Sequence, residues 1–135
     1  AGLLTFSKNI SVFLKADSNK GQMQKIYQHL YNEKQTGFEA GYELLYRFIR
    51  RFISNRSLLF LFTNFETNYS VERVLPVLRM LAKNHLLVVV LFENEELKKL
   101  SERESNDPEE VFTSIIAEKI VYDKKQLASI LRQRG

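Results

Sequence analysis

The chain has 135 residues, 44% of them hydrophobic and 27% charged, which fits one globular domain able to bury about two-thirds of its unfolded surface. It has no cysteine and only two histidines, His29 and His85, which excludes thiol catalysis, disulfides, thiolate zinc and multi-histidine metal sites. A net charge of +4 permits an acidic partner without requiring one, and no apolar stretch reaches the roughly 20 residues of a membrane span.

Ala1 to Phe6 reads as a short core strand, and Ile10 to Leu14 as a second strand after a Ser-Lys-Asn turn, giving an antiparallel hairpin. The chain opens inside a core element and without methionine, so the expectation is a piece of a longer protein or a domain trimmed at its edge. Met23, Ile26, Tyr27, Leu30 and Tyr31 recur at helical spacing and predict a helix from about Lys20 to Asn32. After the polar gap "NEKQTG", the residues Phe38, Tyr42, Leu45, Phe48, Ile49 and Phe52 predict a helix from about Gly37 to Ser54. Arg47, Arg50 and Arg51 lie on it, and Arg56 just beyond.

Ser57 to Thr63 follows as a continuously apolar strand, the pattern of a strand buried on both faces in a parallel sheet. It ends abruptly in the polar turn Thr63-Asn64-Phe65-Glu66. Ser70 is a candidate cap for a helix through Ala82, with Pro76 predicting an irregular first turn or a late start. Leu86 to Phe92, "LLVVVLF", is a second continuously apolar strand, and Glu93 to Leu100 holds a short charged helix. Asp107-Pro108-Glu109-Glu110 is a helix start: a capping Asp, Pro at the first position, then acids near the positive end of the dipole. The last helix carries Val111, Ile115, Ile116, Ile120, Leu127, Ile130 and Leu131 as an apolar stripe, with Tyr122-Asp123 as the place for any break.

The order β-β-α-α-β-α-β-α-α implies an α/β sandwich with helices on both faces of the sheet. Its two strongest strands, separated by one helix, imply a right-handed crossover and a parallel pair. Ligands of such sheets sit at the carboxyl ends of the strands, here Thr63 to Glu66 and Glu93 to Glu96.

That order, with the pieces "GLLTFS", "LFLFTNFE", "VLPVLRMLAKNH" and "LLVVVLFENEEL", resembles a von Willebrand factor A-like domain. Within that fold it is similar to the bacterial family called domain of unknown function fifty-eight. The resemblance covers about residues 1–100 of a single 1–135 domain, with 107–135 as an added helical segment. It implies a three-layer sandwich, a mostly parallel sheet with an antiparallel edge strand, lacking its first central strand, which would precede Ala1. The strands starting at Leu3 and Leu58 would flank that missing strand, and their open edges predict self-association or a swapped dimer.

Such domains commonly hold a divalent cation at the top of the sheet, on an Asp-x-Ser-x-Ser set, a Thr before a helix and an Asp after a later strand. Oxygen ligands of this kind suit magnesium or manganese. The resemblance places Thr36 at the Thr position and Asn64 at the Asp position. No Asp-x-Ser-x-Ser is present, and Asn64 offers a neutral amide, so the implied site is degenerate. Thr63, Phe65 and Glu66 become the implied docking surface. The resemblance further implies a non-enzymatic module in a membrane-anchored parent, on the cytoplasmic side of a bacterial membrane, with an AAA-type ATPase of the MoxR kind as partner.

A blander reading stands beside each of these. Thr63, Asn64 and Glu66 also fit a strand-to-helix turn that satisfies its own backbone, and Thr36 a helix-start residue. Arg47, Arg50 and Arg51 would serve a nucleic-acid or phosphate binder, or form a solvated helix face. His85 has no acid or nucleophile beside it in sequence and reads as structural.

Overall fold

A computed structural model describes residues 1–34, 39–65 and 68–134. The chain divides into two compact units, Ala1–Ser54 and Asn55–Gly135. Its elements are β1 (Leu3–Phe6), β2 (Ile10–Leu14), α1 (Gln22–Asn32), α2 (Tyr42–Phe52), β3 (Leu58–Thr63), α3 (Asn68–Asn84), β4 (Leu86–Leu91), α4 (Glu95–Ser101) and α5 (Pro108–Arg134). The architecture is mixed α/β with two small sheets, antiparallel β1–β2 and parallel β3–β4. No helix among the described residues is long and apolar enough to cross a membrane.

In the first unit the hairpin pairs Leu3 with Leu14 and Thr5 with Val12, then shifts register between Thr5 and Phe6. Helix α2 packs on it through aromatic rings. Phe6 meets Tyr42 edge-on at 5.5 Å, and Phe13 meets Phe48 at 4.9 Å. Tyr42, Leu45 and Ile49 are buried at spacings of three and four, the stripe expected of an amphipathic helix. Gly41 makes this approach close. Its N–H donates to the carbonyl of Ser7 at 2.8 Å, and a Cβ there would lie 3.2 Å from the same oxygen.

The buried side chain of Gln22 ties the hairpin to α1. Its amide nitrogen donates to the carbonyls of Ala1 and Lys15, both at 2.9 Å. Of the five apolar residues that predicted α1, only Ile26 is buried; Met23, Tyr27, Leu30 and Tyr31 are exposed. Gly37 and Phe38, the predicted start of the second helix, lie outside the described residues.

The second unit is built around α3. Val71, Val74, Leu75, Val77, Leu78 and Leu81 are all buried. The helix begins at Asn68, ahead of the predicted Ser70 start, and carries the exposed Pro76 in its interior. An interior proline costs a helix ~3 kcal/mol, whereas each buried Val or Leu contributes about 1.5–3 kcal/mol, so the packed stripe outweighs the break. The helical crossover through α3 delivers β4 parallel to β3, in register from Leu58–Leu86 to Thr63–Leu91.

Two expectations are corrected here. Burial of both faces of β3 and β4 is not observed: Leu58, Phe60, Phe62, Leu86 and Val88 are exposed, while Leu59, Leu61, Leu87 and Val89 turn inward. The apolar run is therefore read on alternate residues, as strand geometry requires, with one apolar face left bare. The final helix also runs unbroken through Tyr122 and Asp123. At its start Asp107 accepts from the N–H of Glu109 at 3.2 Å, as the capping motif predicts. The short α4 is capped by Asn94, whose side-chain oxygen accepts from the N–H groups of Glu96 and Leu97.

Candidate functional site

The carboxyl ends of β3 and β4 open into a cleft with a volume of about 730 Å³. Asn64 and Phe65 reach it from the end of β3, and Phe92, Glu93 and Asn94 from the end of β4. Its floor is the inner face of β4, where Leu87, Val89 and Leu91 alternate inward. Helix α3 supplies Leu75 and Leu78, and α5 supplies Ile120, Val121, Leu127 and Leu131. The inward phase of the strand and the three-to-four spacing of the helices thus converge on one apolar hollow.

Charge enters at its edge. Arg79 comes from α3, Lys98 from α4, and Lys124, Lys125 and Arg132 from α5. Glu93 is the one carboxylate among the described lining residues. Lys124 lies at the end of β4, its Nζ 3.5 Å from the carbonyl oxygen of Phe92. Lys124, Ala128 and Arg132 follow each other at intervals of four, so one face of α5 presents its cations and its small residue to the cleft.

The residues singled out from sequence fall as follows. Asn64 is exposed and lines the cleft; Phe65 is buried, at 3% exposure, so its ring belongs to the core of the unit. Thr63 closes β3 and is half-buried. Thr36 and Glu66 lie outside the described residues. Among the described residues no group of three His, Asp or Glu side chains converges, and Asn64 offers only an amide.

Arg47, Arg50 and Arg51 are exposed on α2, in the other unit. Arg50 and Arg51 stand in the last turn, where positive charge favours the negative end of the helix dipole. The Arg51 guanidinium also lies 5.5 Å from the centre of the Phe52 ring. Both features give Arg50 and Arg51 a role within the helix itself.

The second exposed feature of this unit is the outer face of β3 and β4. Phe60, Phe62 and Phe92 form a stacked row, with ring centres 6.5 and 6.2 Å apart and planes inclined by 25° and 27°. Each ring is more than half exposed. Leu58, Leu86 and Val88 extend the same surface, so no charged side chain interrupts it along the strands.

No family model, curated protein or solved structure matches the chain. The site is therefore read from its own chemistry.

Sequence reasoning located the strand ends but missed the cations that surround the cleft. Lys124, Lys125 and Arg132 carried a signal, since they recur with Leu127 and Leu131 on one helix. The aromatic row had none, because Phe92 reaches Phe62 only through the parallel pairing.

Proposed function

We propose that the chain is a non-enzymatic protein–protein interaction module that docks through the bare face of β3 and β4. The observation that carries the reading is the exposed phenyl row Phe60–Phe62–Phe92 on an uninterrupted apolar strand surface. Large contiguous apolar surfaces are rare on monomers and mark interaction sites. Water gains nothing from those rings, whereas a partner that covers them gains about 25 cal/mol for each Å² buried.

The occupant we favour is a second copy of the chain. A two-stranded sheet is marginal alone, and β3 pairs only with β4 among the described residues, so its other edge is open to a further strand. A two-fold contact would cover the same face on both copies at once. The element order supports a von Willebrand factor A-like plan, a three-layer sandwich about one mostly parallel sheet. On that plan the parent protein docks an AAA-type ATPase from the cytoplasmic side of a bacterial membrane.

A photo-crosslinking amino acid at position 60 tests the reading, with the same group at Glu72, exposed on α3, as control. Crosslinked dimers from position 60, and none from position 72, are expected. Equal crosslinking from both positions, or none from position 60, overturns it.

A further inference from the structure

We propose that the cleft under the inner face of β4 binds a single-chain anionic amphiphile, a long-chain carboxylate of the fatty-acid type. The proposal is independent of the outer sheet face. Three observations carry it.

The first is size and shape. A volume of about 730 Å³ falls within the ~300–1,000 Å³ of small-molecule sites. It lies where open parallel sheets bind ligands, at the strands' carboxyl ends.

The second is the lining. Leu87, Val89 and Leu91 of β4 line the hollow together with Leu78 of α3 and Leu127 and Leu131 of α5. These side chains offer no hydrogen bonds, so a polar group set against them would lose its hydration without replacement, while Asn64, Asn94 and Ser129 supply the polar part of the lining. An alkyl chain loses nothing and gains the burial of its surface.

The third is charge. Lys98, Lys125 and Arg132, all exposed, line the hollow with Lys124 and Arg79, and Glu93 is the one carboxylate among the described lining residues. Cations next to an apolar wall act through a reduced dielectric and attract an anion more strongly than the same charges in water. An anionic head at this edge keeps its own hydration while the chain enters the apolar interior.

The test is calorimetric titration of the full chain with oleate below its micellar range, beside oleyl alcohol and inorganic phosphate. Amide NMR shifts report where each probe sits. Oleate should bind saturably, with shifts in 87–98 and 120–132. Oleyl alcohol should bind at least about tenfold more weakly, and so should oleate to the Lys98→Glu/Lys125→Glu double variant, whose two positions are exposed and tolerate the change. Phosphate should give no saturable heat. Each of these results would overturn the proposal: no saturable oleate binding, equal binding of the alcohol, oleate binding unchanged by the double charge reversal, or shifts confined to Phe60, Phe62 and their outer-face neighbours. Phosphate binding as tight as oleate would do the same, by reducing the site to an anion patch.

Discussion

The backbone N–H of Ser57 donates to Nδ1 of the buried His85 across 3.3 Å. The N–H of Leu86 returns a bond to the carbonyl oxygen of Ser57 at 2.9 Å. His85 itself is anchored by its N–H to the carbonyl of Leu81 at 3.0 Å, at the end of α3. One residue thus ties the end of the crossover helix to the start of β3, where β4 also begins. Nδ1 is the acceptor of this bond, which gives the ring a structural role at the strand start.

Replacing His85 by Ala leaves the Ser57 N–H without its acceptor and opens a small void. We expect a loss of about 1–3 kcal/mol of unfolding free energy. His85→Asn, whose amide oxygen can take the place of Nδ1, should recover part of it. Urea unfolding of the three proteins measures both effects. Equal losses for Ala and Asn would remove the hydrogen bond from the explanation.

Pro76 breaks the hydrogen-bond ladder of α3 while its ring is exposed. Pro76→Ala restores a donor and loses little buried surface. The variant should be more stable, by up to ~3 kcal/mol. A thermal midpoint that rises confirms the direction; a fall would mean that the proline shapes a bend the packing needs.

The hydroxyl oxygen of Thr5 is buried and has no hydrogen-bond partner among the described residues. Valine has the same shape without the hydroxyl. Thr5→Val should stabilise the first unit by about 1 kcal/mol, through relief of the unsatisfied group and a better fit to a pleated strand. A destabilised variant in chemical unfolding would show that the hydroxyl is satisfied in solution.

Much of this fold was legible in the sequence, because local patterns decide it. Ile10 to Leu14 needed only strand propensity and a turn; Asp107-Pro108 announced α5 by capping chemistry alone. His85 was readable as structural because no acid or nucleophile accompanied it. The bare sheet face was not legible. "LLFLFT" is apolar on both phases of the strand, so nothing in it says which of Phe60 or Leu61 will be covered. The same holds for α1, where helical spacing marked Tyr27 and Leu30 as one stripe but could not say whether anything packs on it. The cleft was half legible. Strand ends pointed to Asn64 and Glu93, while its cations come from α4 and α5, brought in by tertiary packing.

The proposed self-association depends above all on the exposed phenyl row. Sedimentation velocity of the chain from about 1 to about 100 μM, beside the Phe60→Ser/Phe62→Ser variant, tests it most directly. Both positions point away from the core, so the variant should keep its fold. A concentration-dependent rise toward the dimer is expected for the unaltered chain, and a monomer throughout for the variant. A monomer across the whole range for both, with identical sedimentation, would contradict it.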